Sequence, residues 1–365
     1  MIKNSVMINV KNHIILVGLI FLFGYSLAAQ EDILLKDYDP ISIYRIPITT
    51  VAKAKYPVID MHSHPYATSK EKIEEWIKTM DELGIEKTTI LTKQTGKAFD
   101  SIVNVYSKYG NRFEVWCGID FTGYSEKGWS NKAIKELERC FSVGAKGVGE
   151  MGDKGEGLLY SKPTPAYGMH IDDERLAPVL QRCGELGMPV NIHIAEPYWM
   201  YEPIDKNNDG LMNAADWKID KSKKGLLLHS ELLTTLENAL RNNRGTTFIA
   251  CHYANCGYDL NRAGELLDAH NNLYIDISAR YAEVSPTPRH TKVFFLRYQD
   301  RLLYGTDMGF DPDMYRTTFR ILETEDEHFY KKELFGYHSA LNGLGLSNEV
   351  LKKIYYENAK KINNY

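Results

Sequence analysis

The chain has 365 residues, 44% hydrophobic and 25% charged, the composition of an ordinary globular protein. A formal charge of −4 leaves no basic footprint for nucleic acid or an anionic lipid surface. Its five cysteines, Cys117, Cys140, Cys183, Cys251 and Cys256, are odd in number and scattered, unlike a disulfide framework, although Cys251 and Cys256 are near enough in sequence to pair.

Residues 1–29 read as a secretory signal peptide. Lys3 and Lys11 precede an apolar run from Ile14 to Phe23, followed by Ser26-Leu-Ala-Ala-Gln30. A basic start, a short apolar core and small residues at a cut site place cleavage before Gln30. The run is short for a membrane span, so no stable membrane insertion is expected after cleavage. The mature protein is expected to be periplasmic or secreted. Residues 30–56 form an N-terminal extension, and 57–365 carry no composition break that would divide them.

From Pro57 onward, short apolar runs alternate with amphipathic stretches. The expected strands are Val58–Met61, Thr88–Leu91, Phe113–Ile119, Gly147–Met151, Val190–Ala195, Thr247–His252, Leu273–Ile277 and Leu302–Gly305. Their Val, Ile, Leu and Tyr content suits strands buried on both faces. Expected helices include Lys70–Leu83, with Ser69 before it and Gly84 as its stop, and Asn131–Phe141, Asp173–Leu186, Ser230–Arg241 and Asp259–Ala269. Met314–Glu323, Lys331–Leu341 and Asn348–Ile362 complete the set. Eight strands alternating with helices predict an α/β fold with a parallel sheet, a (β/α)₈ TIM barrel or a doubly wound one. A long insertion from Pro197 to Leu228 follows the fifth strand.

Ionisable residues fall at the ends of these strands. His62 and His64 close the first, in Asp60-Met-His-Ser-His64, and residues two apart on a strand point the same way. Glu150 ends the fourth, His193 the fifth and His252 the sixth, and Asp307 follows the eighth. In a closed barrel all of these ends meet on one rim. Several histidines with one or two carboxylates suit Zn²⁺, or a similar divalent ion, in a catalytic site with an open position.

The Asp-Met-His-Ser-His-Pro start, the later His193 and His252, and the closing Gly305-Thr-Asp307 resemble the amidohydrolase superfamily. Within it, the amidohydrolase-related group, with aminocarboxymuconate-semialdehyde decarboxylase and several lactonases, is the most similar. The segment Leu344–Ala359 is also similar to that group's last helix. The resemblance implies that His62, His64, His193 and Asp307 are metal ligands. It makes His252 the residue that polarises the substrate or helps to activate water, and gives Asp307 a second role as proton acceptor. Gly149-Glu-Met-Gly152 departs from the decarboxylase pattern and resembles the metal-dependent deoxyribonuclease branch, where that Glu helps to hold a second metal. Lys146 lies too deep in its strand for a bridging role.

Other signals are weaker. The G-x-G-x-x-G match at Gly147–Gly152 is not followed by a helix, so a dinucleotide site is not expected. Asp205, Asn207, Asp209, Leu211 and Asp216 have the spacing of a calcium loop, with Gly210 at its sixth position, whereas Asx-rich turns give the same composition. Arg280 is a candidate carboxylate clamp or a structural ion pair, and Tyr253 and Trp199 are candidate pocket-lining residues. His170, His229, His270, His290, His328 and His338 are expected at the surface.

The leading expectation is a metal-dependent hydrolase cleaving a C–O or C–N bond in a small polar or carboxylated molecule. Its cofactor would be Zn²⁺, with a second metal at Glu150 and calcium in the insertion as further candidates. The rivals are a decarboxylase using the same site and an exported non-catalytic binding protein. A homo-oligomer is compatible with the sequence.

Overall fold

The computed structural model describes residues 33–155, 158–212, 218–331 and 338–362, so the expected signal peptide lies outside the described residues. Among the described residues ten strands occur in chain order: β1 (Val58–Ser63), β2 (Ile85–Leu91), β3 (Phe113–Trp116), β4 (Val148–Asp153), β5 (Leu158–Tyr160), β6 (Ala166–Tyr167), β7 (Val190–Ile194), β8 (Phe248–Ala250), β9 (Leu273–Asp276) and β10 (Leu302–Leu303). Eight of them are parallel and make the wall of a TIM barrel, while β5 and β6 form an antiparallel hairpin on the edge of β4. Every residue of β1, β3, β4 and β7 is buried, as expected of parallel strands covered on both faces.

Two seams complete the wall. A parallel bridge between Cys117 and Val148 joins β3 to β4. The Met61 amide donates to the Tyr304 carbonyl at 2.9 Å, and the Asp307 amide to the His62 carbonyl at 2.9 Å, joining β1 to the end of β10. The second seam needs Gly305, because a Cβ there would lie 2.8 Å from that of His62.

Helices cover the wall where amphipathic spacing predicts them. In Lys70–Leu83, Ser69 accepts the Lys72 amide, Gly84 closes the last turn at φ 80°, and Ile73, Trp76, Met80 and Leu83 face the core. Trp129–Val143, Ala177–Glu185, His229–Asn242, Leu260–Ala269 and Pro312–Glu323 follow. The last helical stretch runs through Asn348–Lys352, a π turn Lys353–Glu357, and Asn358–Ile362. Among the described residues, two helices of eleven residues and the short turn of helix Tyr281–Val284 were not expected. Gly96–Tyr106 has no side-chain cap and is tied through its Gly96 amide to Glu136 at 2.7 Å, and Pro288–Tyr298 begins on a proline. The helix expected at Lys331–Leu341 is corrected at its C-terminal end, where Leu341 pairs with Phe329 as an antiparallel bridge; residues 332–337 lie outside the described set. All five cysteines are buried and unpaired, so Cys251 and Cys256 do not form a disulfide.

Asp60 anchors the closing seam from below. Its buried carboxylate accepts from the Thr306 amide (3.1 Å), the Thr306 hydroxyl (2.7 Å), the His62 amide (3.1 Å) and the Tyr315 hydroxyl (3.2 Å). Removing it would leave several buried donors unsatisfied, at about 1–3 kcal/mol each. Asp60→Ala is therefore expected to lower unfolding free energy by at least about 2 kcal/mol in urea titrations of the metal-free protein. Asp60→Asn, which keeps an acceptor oxygen, should lose less. Equal stability of Asp60→Ala and wild type would show that the seam does not depend on this carboxylate.

Candidate metal centre

The sequence places His62, Glu150 and His193 within β1, β4 and β7, and His64, His252 and Asp307 just beyond β1, β8 and β10, and the barrel turns these into one cluster. Five strand ends finish with a non-glycine residue in the left-handed region: Lys93 (φ 61°) after β2, Ala195 (58°) after β7, His252 (60°) after β8, Ala279 (54°) after β9 and Asp307 (56°) after β10. Each such residue costs on the order of 1–3 kcal/mol and is retained only where surrounding contacts over-determine it. After β8 the strain extends over four consecutive residues, His252 to Asn255.

Hydrogen bonds at the back of each ring fix the tautomers of three histidines. The His64 Nδ1 donates to the Leu91 carbonyl at 2.7 Å. The His62 Nδ1 faces the Asp276 carboxylate at 2.9 Å. The His252 Nδ1 lies 2.9 Å from both the carbonyl and the hydroxyl of Ser278. That hydroxyl donates its own hydrogen to Asp276 at 2.5 Å, so it can only accept from His252. In all three rings Nδ1 is engaged from behind, so Nε2 is the nitrogen turned to the cavity and available to a metal. This is the donor arrangement that metal-ligating histidines adopt.

Two carboxylates face these Nε2 atoms. Asp307 stands 3.0 Å from His64 Nε2 and 3.6 Å from His62 Nε2 and His252 Nε2. Glu150 stands 3.4 Å from His64 Nε2 and 3.5 Å from His252 Nε2, and it accepts from His193 Nδ1 at 2.9 Å and from Lys93 Nζ at 2.7 Å. His193 Nε2 meets Glu196 at 3.2 Å. Burial alone would raise Glu150 and Asp307, but the surrounding imidazoles outweigh it and hold both well below the usual carboxylate range. Burial would lower His62, yet Asp276, Asp307 and Glu150 push it up to about 9. Burial pushes His252 down to about 4.

These residues fit a divalent metal. His62 Nε2 is fully buried and has no hydrogen-bond partner. His62, His64 and Glu150 bring ligand atoms together, as do His62, His252 and Asp307, and as do Glu150, His193, Cys251 and His252. Glu150 thus belongs to two donor sets, one on the β1 side and one on the β7–β8 side.

The cavity above these groups measures about 440 Å³ and is also lined by Lys93, Lys154 and Tyr160. Lys93 and Glu196 carry no role in the sequence reading, nor does Asp276, whose only signal is a carboxylate inside an otherwise apolar strand. Lys146 is exposed at the foot of β4.

Other expected residues lie elsewhere. Arg280 is 6% exposed and is engaged by Asn255 at 3.1 Å, the Ala279 carbonyl at 3.1 Å and Glu283 at 3.3 Å, with Glu196 at 3.9 Å. These are the contacts that the ion-pair alternative describes. Tyr253 is fully buried against Phe294 and Phe295, because its left-handed backbone turns the ring into the core. Trp199 lines a separate cavity of about 730 Å³, together with Tyr198, Tyr258 and Glu283. Asp205, Asn207 and Asp209 line that same cavity, Leu211 lies in the turn Asp209–Met212, and Asp216 falls outside the described residues. Asp205 accepts the Asn207 amide at 2.8 Å in an Asx turn, and Gly210 is required because a Cβ would lie 2.2 Å from Trp199. Among the described residues no metal-capable group of acidic side chains forms in this loop. His229 and His338 are buried rather than at the surface, His229 with its Nε2 2.9 Å from the Asn255 carbonyl.

The amidohydrolase family profile matches residues 119–362. The chain belongs to the amidohydrolase family. No curated protein matches the sequence. Solved structures share its barrel. A TIM-barrel protein from Bordetella bronchiseptica is 16% identical, with a TM-score of 0.53 over 84% of this chain and 98% of its own. The 5-carboxyvanillate decarboxylase of Novosphingobium aromaticivorans, solved with manganese and 4-hydroxy-3-methoxy-5-nitrobenzoic acid, is 14% identical, with a TM-score of 0.51 over 87% and 100% of the two chains. The 2,6-dihydroxybenzoate decarboxylase from Rhizobium is 14% identical, with a TM-score of 0.50 over 85% and 99%.

Asp276 orients this amidohydrolase's His62 from behind without itself facing the cavity. Asp276→Asn should therefore weaken metal affinity by about 10–100-fold while leaving the circular dichroism spectrum intact. Competition against a fluorescent chelator measures this, and an unchanged affinity would remove Asp276 from the centre.

Proposed function

We propose that this family member is an exported, metal-dependent hydrolase that cleaves a C–O or C–N bond, in a lactone, ester or amide, of a small polar or carboxylated substrate. One observation carries the choice of hydrolysis over decarboxylation. Glu150 sits between two histidine donor sets, where a carboxylate can help to hold a second ion.

His62, His64, Asp307 and Glu150 would hold one ion, and Glu150, His193 and His252 a second. Imidazole and carboxylate donors suit Zn²⁺. When bound, such an ion polarises a carbonyl oxygen and brings the pKa of water down to roughly 7. Asp307, ionised at neutral pH, accepts the proton of the attacking water and returns it to the leaving oxygen or nitrogen. His252 is neutral, and its Nε2 can accept but not donate, so its place is as a ligand or a base rather than a donor to the substrate carbonyl. Tyr66, whose hydroxyl donates to Asp307 at 3.2 Å, holds that carboxylate toward His64.

The second reading is a carbon–carbon lyase, supported by a fold shared with proteins described as decarboxylases. Elemental analysis of metal-loaded protein separates the two. Wild type should hold close to two ions, Glu150→Gln close to one, and the His62→Ala/His64→Ala double variant should lose most of its metal. A single ion in both wild type and Glu150→Gln would move the assignment to the lyase. Full metal retention by the double variant would remove the centre altogether.

A further inference from the structure

We infer that the side of the metal cavity bounded by Lys93, Lys154 and Tyr160 is an anion-receiving subsite that selects a substrate carrying a carboxylate or similar oxyanion. The inference rests on the metal reading above and adds a substrate class to it.

Setting the donor sets aside, the described lining of the 440 Å³ cavity consists of Lys93, Gly152, Lys154 and Tyr160. Two ammonium groups and one phenol are thus the side chains left to meet a substrate. They come from separate elements. Lys93 follows β2 in the left-handed region, Lys154 follows β4, and Tyr160 ends β5 of the hairpin. The hairpin is tied to the Lys93 segment by the Lys162 amide, which donates to the Lys93 carbonyl at 2.8 Å. The Lys93 ammonium lies 5.9 Å from the centre of the Tyr160 ring.

A plainer account is that the lysines only neutralise their neighbours, Lys93 pairing with Glu150 and Lys154 with Glu196. Two features argue against it. An ammonium has three donors, and a carboxylate partner on one side leaves others for a ligand. The Lys154 side chain is 49% exposed, where an ion pair adds little stability, and Glu196 already faces His193 at 3.2 Å. Charge supplies the direction. Glu150, Asp307 and Glu196 stand against two lysines, so a single divalent ion makes the cavity formally positive. A neutral substrate would leave this charge uncompensated; an oxyanion placed between the ion and the lysines compensates it.

The test uses the full metal-loaded protein and two probes of equal shape, benzoate and benzamide, titrated calorimetrically. Benzoate should bind at least about 10-fold more tightly than benzamide, as a charge-assisted hydrogen bond provides. Lys154→Met should bring the ratio close to one at unchanged metal content, and Lys154→Arg should restore it. Lys93→Met should reduce it as well, with metal content measured alongside because of the Glu150 contact. A merely structural lysine would weaken both probes equally. Equal affinity of the two probes in metal-loaded wild type, no benzoate binding at millimolar concentration, or a preference that survives Lys154→Met would overturn the subsite alone. Wild type that takes up no metal would overturn the metal reading together with it.

Discussion

Five donors converge on the carboxylate of Asp276, two from strands β1 and β7 and three from the turns that end β8 and β9. Oδ2 faces His62 Nδ1 at 2.9 Å and Asn191 Nδ2 at 3.1 Å. Oδ1 accepts from the His252 amide, the Ser278 amide and the Ser278 hydroxyl. A fully buried carboxylate is tolerated only when hydrogen-bonded on every side, and here the bonds that satisfy it also set the barrel's inner geometry. One bond orients His62. The Ser278 bond fixes which nitrogen of His252 carries the proton. The Asn191 bond ties in the strand that delivers His193. The metal centre and the core of the barrel therefore share a floor, and neither could be laid out independently of the other.

Above that floor the site separates its roles by position. Histidines whose Nδ1 is held from behind offer Nε2, Asp307 offers a proton acceptor, and Glu150 links the two donor sets. The groups that do not coordinate, Lys93, Lys154 and Tyr160, line the same cavity from the turns after β2 and β4 and from the hairpin. Recognition and chemistry thus lie on different elements of one rim, as the fold permits by varying its loops.

The strand-end residues were legible because a barrel strand is short, apolar and abruptly terminated, so a polar residue at its end stands out. His62, His64, Glu150, His193, His252 and Asp307 were all found in that way, and the structure brings them together. Asp276 was passed over because it lies within an apolar run, where nothing local tells a satisfied carboxylate from an error in the strand assignment; apart from Ser278, two residues on, its partners are 24 to 214 residues away. Lys93 and the hairpin share that difficulty, since their meaning depends on pairing with β4. Arg280 and Tyr253 were read by residue type, but what places them is the left-handed turns after β9 and β8, which no periodicity announces. Helix Gly96–Tyr106 lacked a capping signal because its first amide is met by Glu136 from another helix.

The strained turns that end β2, β7, β8, β9 and β10 give the barrel two unequal ends. At the far end, where strands begin, backbone conformation is relaxed and a side chain matters chiefly through volume and polarity. At the rim, the left-handed backbone spends stability on aiming side chains, and the run from His252 to Asn255 spends it four times in succession. Random substitution meets different odds at the two ends. Drift at the base can be absorbed by repacking, whereas at the rim a β-branched replacement meets a backbone it cannot adopt without added strain. Over generations such a chain should diversify from its base upward, with the turns after the strands changing last even where their side chains touch no ligand.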